Sequence, residues 1–343
     1  MSRIIVSIMY EFITDPEIGV GPRPARCAPL RKLLFMALMG CLPAMAHALD
    51  LGPLDGIAPP AGVTGISLEL GERNLEGAFE IEGVGPIAAR VERRNANLRF
   101  GHGFSLAGMP AYTYGELPLV DYTAAGAGAE QFGVDGGSGV GDLALALAVW
   151  PHADRQAGRF FGVAGYLVAP TGEYDAEKTL GGNLNPGSNR FSAILQAGFQ
   201  QRLAERWYWN IAADVMAFGD NDDYIGPRVR FLPPTPTSTQ PAVAPARPAR
   251  LEVKPYISYQ TALAWRLHPA LTLAASYYVD RGAEARIDGG DWSASINRER
   301  YGLWALLALS PRTRINFSYK GVVDDRSALA LEDAFQVRFI RFF

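Results

Sequence analysis

The chain has 343 residues, 48% hydrophobic and 20% charged, a balance that suits a packed fold and excludes intrinsic disorder. A net charge of −3, with no long block of like charge, leaves no overall basic field for nucleic acid. Both cysteines, Cys27 and Cys41, lie near the start, so the chain beyond them can use neither a disulfide nor a cysteine-ligated metal.

The first element is "PLRKLLFMALMGCLPAMAHALD". Arg31 and Lys32 precede an apolar run from Leu33 to Leu42, followed by Pro43 and an A-x-A arrangement at Ala46, His47 and Ala48. It reads as a secretory signal peptide, with cleavage after Ala48 and a mature start at Leu49. The run is too short to cross a membrane as a helix, which takes about 20 residues. Glu11, Asp15 and Glu17 are foreign to the basic region of such a signal, and a translation start further along the chain would remove them. "LMGC" only loosely resembles a lipoprotein box, because Met39 fits poorly and the A-x-A site follows at once.

Beyond Leu49 the pattern changes to alternation. Trp207, Trp209, Ile211, Ala213 and Val215 share one parity, against Asn210, Ala212 and Asp214. Val253, Ile257, Tyr259, Leu263 and Trp265 oppose Lys254, Ser258, Gln260, Ala262 and Ala264, and Ile315, Phe317 and Tyr319 oppose Arg314, Asn316, Ser318 and Lys320. This is the two-residue period of strands, and helical spacing fits none of it. Twelve strands are expected, near 64–71, 92–102, 111–120, 140–151, 159–170, 189–202, 206–219, 252–266, 271–281, 297–310, 313–321 and 333–343. Most exceed the about 5 to 6 residues usual in soluble domains and match the about 9 to 11 of a tilted bilayer-crossing strand.

The connections alternate between long (72–91, 121–139, 171–188, 220–251, 282–296, 322–332) and short (103–110, 152–158, 203–205, 267–270, 311–312). Outer-membrane barrels have this asymmetry, with brief periplasmic turns and larger extracellular loops. The expected fold is therefore an all-β, transmembrane, antiparallel up-and-down β-barrel over residues 49–343. Closure removes the edges that lipid could not satisfy. Trp207, Trp209, Trp265, Tyr277 and Tyr319 would supply aromatic girdles. The polar parity then marks the expected lumen: Asp142, Gln196, Gln200, Asn210, Asp214, Lys254, Gln260, Arg314, Asn316 and Lys320. Their mixed signs argue against strong ion selectivity. The proline-rich stretch "PPTPTSTQPAVAPARPAR", 233–250, should be an extended mobile loop.

"GVGDLAL" from Gly139, then "FFGVAGYLVAPTGEYD" from Phe160, then "RFSAILQAGFQQRL" resemble the transporter family described for the MetA pathway of phenol degradation. The shared motif positions are Gly139, Gly141, Asp142, Pro170, Thr171 and Gly172. The resemblance implies an outer-membrane barrel that passes small, aromatic or otherwise hydrophobic compounds. The terminal Phe343, with Phe339, Val337 and Phe335 at alternating positions, resembles the signal read by the outer-membrane assembly machinery, from which Arg341 departs. The expected partners are outer-membrane lipid and lipopolysaccharide, that machinery, and a small-molecule solute.

Three sharper chemistries fit the residues less well. The glycines of "DGGSGVGD" lack the spacing and following helix of a phosphate cradle. His102 and Ser105 could pair as base and nucleophile of a lipid-modifying hydrolase, but only if a third group oriented the histidine. Asp220, Asp222 and Asp223 are hard-cation ligands by type without the calcium-loop pattern, and His152 and His268 have no metal spacing. The expectation is a passive channel with no catalytic residue, cofactor or metal. A structural or adhesive barrel with a closed lumen is the other alternative.

Overall fold

The structure, a computed structural model, describes residues 50–81, 85–126, 129, 136–176, 184–224, 231–232, 242–243, 248–326 and 329–343. The leader at 1–48 and most of the 233–250 loop lie outside the described residues. Among the described residues no helix is long and apolar enough to cross a membrane. Instead the described residues form eighteen strands. In chain order they begin with β1 Thr64–Ile81, β2 Gly85–Leu106, β3 Met109–Ala125, β4 Gly137–Val140, β5 Leu143–Asp154 and β6 Arg159–Ala169. Then come β7 Ser192–Ala204, β8 Trp207–Phe218, β9 Asn221–Tyr224, β10 Phe231–Leu232, β11 Ala242–Val243 and β12 Ala249–Val253. The last are β13 Tyr256–His268, β14 Leu271–Gly282, β15 Ala285–Ile287, β16 Ile296–Ser310, β17 Thr313–Asp325 and β18 Leu329–Phe342.

Thirteen of these form one sheet, in which every described pairing is antiparallel. β4 and β5 both pair with β3, at Leu119–Tyr122 and Ala111–Glu116, so they are one interrupted stave and the ring has twelve. β2 pairs with both β1 and β3, which closes it. The twelve-stranded up-and-down barrel expected from the alternation is the fold. The seam joins β1 to β18, where the Phe343 N–H donates to the Thr64 carbonyl at 2.9 Å. Outside the ring, β9, β12 and β15 form a small sheet, and β10 pairs with β11.

One end carries the tight turns. Between β2 and β3 only Ala107 and Gly108 intervene, with φ of 49° and 80°, the left-handed pair that a two-residue hairpin needs. A side chain at Gly108 would be strained in that backbone even though open space surrounds it.

The outer face carries a row of exposed apolar side chains, among them Leu68, Phe100, Leu145, Leu167, Leu195, Ile211, Leu263, Leu303 and Phe339. Alternate positions are buried and often polar: Ser67, Gln196, Gln200, Asp214, Ser258, Thr272, Ser276, Asn316 and Lys320. A solvent of water would invert this arrangement; lipid outside requires it, because Lys or Arg facing the bilayer midplane costs about 2–4 kcal/mol. Trp207 and Trp265, directly paired across the ladder, stack at 5.8 Å on the outer face near the short turns.

Two boundaries differ from the sequence expectation. The first hairpin, expected to end at 71 and resume at 92, continues as paired strands to Ile81 and Gly85. There the outer face changes from apolar to charged, with Arg94 bonded to Glu72 and Arg90 paired to Glu76, so the ladder persists above the greasy band whose alternation betrays it. The expected 252–266 strand is broken at Lys254 and Pro255. Pro255 has no N–H for the ladder, and the break shifts side-chain parity, burying Val253 and Tyr256 while exposing Lys254.

Candidate functional site: the barrel interior and its inserted segment

Residues 50–63 run inside the ring from the short-turn rim upward. At the rim, the Gly62 N–H donates to the Gly103 carbonyl at 2.7 Å and the Gly103 N–H to the Val63 carbonyl at 2.8 Å. From the short turn after β5, Arg155 donates to the Ala58 carbonyl at 2.8 Å, and the Trp150 indole of β5 donates to the Gly56 carbonyl at 2.9 Å. Gly56 crosses Gln200 so closely that a Cβ there would meet the Gln200 side chain at 3.0 Å. The Leu51 N–H then donates to Gln260 Oε1 at 3.1 Å. The segment ends, as described, on Asp50.

Asp50 is the hub of the interior charges. Arg300 grips it with two parallel bonds, Nη1 to Oδ2 at 2.9 Å and Nη2 to Oδ1 at 3.0 Å, and Lys320 Nζ stands 2.7 Å from Oδ2. All three side chains are nearly sealed from solvent. Burial alone would raise the Asp50 carboxyl, but Arg300 and Lys320 outweigh it and hold the group well below the usual carboxylate range. Behind Arg300, Asp280 accepts from Arg300 Nε at 2.8 Å, Arg298 Nε at 3.0 Å and Ser258 Oγ at 3.1 Å. Further round the wall, Arg99 Nε donates to Glu116 at 2.6 Å and Arg338 Nε to Glu69 at 2.7 Å. Arg338 also reaches Asp55 of the inserted segment at 3.4 Å. Each of these charges thus has an opposite charge at hand, the condition on which buried ions are tolerated.

Six of the ten residues expected to line the lumen, Gln196, Gln200, Asp214, Gln260, Asn316 and Lys320, are buried. Tyr166 Oη donates to Gln196 at 3.0 Å. Asn210 is half-buried on the same strand face as Asp214. Arg314 is exposed near the rim, its guanidinium 5.3 Å from the Phe342 ring. Lys254 leaves the set through the parity shift described above: it is exposed, with Nζ over the Trp292 ring at 4.5 Å.

Asp142 has a different task. Its Oδ1 accepts from the Gly172 N–H at 2.9 Å, and its Oδ2 from the Ser188 N–H at 2.8 Å and the Ser188 hydroxyl at 2.5 Å. Thr171 Oγ1 accepts from the Leu143 N–H at 2.9 Å, and the Gly141 N–H donates to the Pro118 carbonyl at 2.8 Å. A Cβ on Gly141 would stand 2.7 Å from Pro118, and one on Gly172 2.7 Å from Gly187. The two glycine-bearing motifs therefore interlock, at the interruption between β4 and β5, into a clasp that pins residues 171–173 and 187–188 to the wall. Gly139 belongs to its edge, where a side chain would collide with Glu173, and Pro170 follows directly on β6.

The alternative chemistries meet plain geometry. His102 and Ser105 both lie in β2, three positions apart, and strand alternation sends them to opposite faces. His102 Nδ1 is 2.9 Å from Thr64 Oγ1. Asp220 is paired with Arg250, and Asp222 stands 3.8 Å from the same guanidinium. Among the described residues no three His, Cys, Asp or Glu side chains converge as metal ligands.

Reading by residue missed Asp50, Asp280, Arg298 and Arg300. The last three share the buried parity of Ser276, Tyr278 and Trp304 and were legible there. Asp50 lies in coil ahead of the first strand, where no period exists to assign it.

The family model for the MetA-pathway of phenol degradation matches residues 84–339. No curated protein matches the chain. Among solved structures, the chain is similar to the COG4313 outer membrane channel from Pseudomonas putida F1, at 21% identity and a TM-score of 0.71, over 86% of this chain and 100% of that one. It is more distantly similar to the beta domain of the Bordetella autotransporter BrkA, at 14% identity and TM-score 0.49, over 83% of this chain and 100% of that one. For the P. putida toluene transporter TodX the values are 11% and 0.38, over 83% of this chain and 90% of that one. The first likeness shares the barrel fold; the other two are too remote to carry an argument.

Proposed function

Because the chain belongs to the family of the MetA-pathway of phenol degradation, we propose that it is an outer-membrane channel passing small, aromatic or otherwise hydrophobic solutes down their gradients. The observation that carries this is the closed ring with an apolar exterior and a charged, hydrogen-bonded interior, the arrangement expected of a polar passage inside a lipid-facing wall. Gln196, Gln200, Asn210, Asp214, Gln260, Asn316 and Lys320 would line that passage, with Asp280 and Arg300. No energy source or cofactor enters the reading, and lipid, lipopolysaccharide and the assembly machinery that reads the Phe343 end would be its partners.

Export through a leader cut after Ala48 fits the position of Asp50, buried within the ring one residue beyond Leu49. Purified mature protein in planar bilayers and swelling liposomes, offered charged, sugar and aromatic solutes, tests the function. Flux that favours small aromatics is expected; no flux for any solute would refute it. The inserted 50–63 segment favours a second reading, a structural barrel with a closed lumen, which predicts that removing the segment still gives no conductance.

A further inference from the structure

We propose that Arg300 and Lys320 form a carboxylate-binding subsite on the solute path, occupied here by the chain's own Asp50, and that its ligands are small aromatic carboxylates. The proposal rests on the channel reading above. A guanidinium presenting two parallel N–H groups matches the two oxygens of a carboxylate, and the Lys320 ammonium closes the third side. Asp50 is not part of the wall. It is carried in on a coil segment held by a few hydrogen bonds, whereas both cations are fixed on neighbouring barrel strands, β16 and β17.

Among the described residues Asp50 is the one acid within ion-pair distance of Lys320, so withdrawal of the segment leaves a buried ammonium that only another anion can satisfy. Arg300 keeps Asp280 but loses both of its outer bonds.

The surroundings select among anions. The Arg300 guanidinium lies 4.7 Å from the Tyr278 ring, and Lys320 Nζ is 5.4 Å from the Trp304 ring. Gly302 lets both rings close on its backbone: a Cβ there would stand 3.1 Å from Trp304 Nε1 and 3.4 Å from Tyr278 Oη. Both polar atoms are buried without a hydrogen-bond partner among the described residues. Two cations beside two aromatic faces suit an acid whose carboxylate replaces that of Asp50 and whose ring stacks where aspartate has nothing to offer. Asp50 is then a tethered competitor, present at an effective concentration that a free ligand must overcome.

Calorimetric titration of the purified full chain in detergent tests this, with benzoate, benzamide and acetate as probes. Asp50→Ala should bind benzoate about tenfold or more tightly than the parent, because the competing carboxylate is gone. Benzamide, the same ring without charge, should not bind, and acetate should bind more weakly than benzoate. Asp50→Ala/Lys320→Gln should lose benzoate binding; Lys320 is chosen because Arg300 also holds Asp280 and its loss endangers folding. Equal binding of benzamide and benzoate, or equal benzoate affinity with and without Lys320, or no benzoate binding to Asp50→Ala, overturns the subsite. Bilayer conductance of the same variants separates the two readings: binding as expected without ion flow sinks the channel and leaves the subsite, whereas flow without discrimination sinks the subsite alone.

Discussion

Asp142 shows what a single carboxylate can hold together. Three donors from two parts of one loop converge on it, and hydrogen bonds to a charged acceptor are worth about 1.5–3 kcal/mol each where water is excluded. Asp142→Ala should therefore lower the thermal unfolding midpoint of the barrel in heat-modifiability gels, while Asp142→Asn, which keeps one acceptor, should lose less; an unchanged midpoint in both would remove the clasp from the stability argument. Asp50 makes a prediction of the opposite sort. Its docked pKa lies below the ordinary 3.8, so the stabilisation it gives the inserted segment is fully present above that value and is lost only as pH falls through the lower, docked value. Conductance measured at pH 7 and pH 5 should show the same degree of closure, and a gate opening with a midpoint near pH 5 would contradict the Arg300–Lys320 latch. At this scale the sequence was read correctly for chemical type and less well for place. Asp142 has the residue type of a lumen group, but it sits at a strand interruption, where two-residue parity no longer says which way a side chain points.

Strands were the most legible level, because a lipid exterior forces greasy side chains to every second position. Ile211, on the outer face of β8 and paired with Phe199 and Thr261, illustrates the rule. Ile211→Arg should cost about 2–4 kcal/mol if it lies near the midplane and should reduce the folded fraction recovered into liposomes. Exchange of the neighbouring half-buried Asn210 for Ser, on the other face, should leave that fraction unchanged. Where the lipid constraint ends, so does legibility. The upper part of the first hairpin alternates charges rather than apolar groups, and pairs such as Arg94 with Glu72 sustain its ladder without a hydrophobic period. Lys254 was misplaced for a related reason, since its neighbour Pro255 cannot donate to a ladder and the strand restarts out of phase.

For the molecule as a whole, the inserted segment fills the centre of the ring. Deleting residues 50–63 removes no strand and leaves every pairing of the ring intact, so the variant should still migrate as a heat-modifiable barrel. Its single-channel conductance should exceed that of the parent; an unchanged value would mean that the passage is limited elsewhere. Closure of the ring was predictable from an even number of staves in lipid, but the occupancy of its centre was not, because coil carries no periodic mark. The seam between β1 and β18 has a consequence for biogenesis. A half-built cylinder has two raw borders, and here the border opened by β1 is sealed only by the stave furthest from it along the chain. The ring cannot close before that final stave is present, and a polypeptide halted before Leu329 should be cleared by proteases rather than persist as a narrower pore.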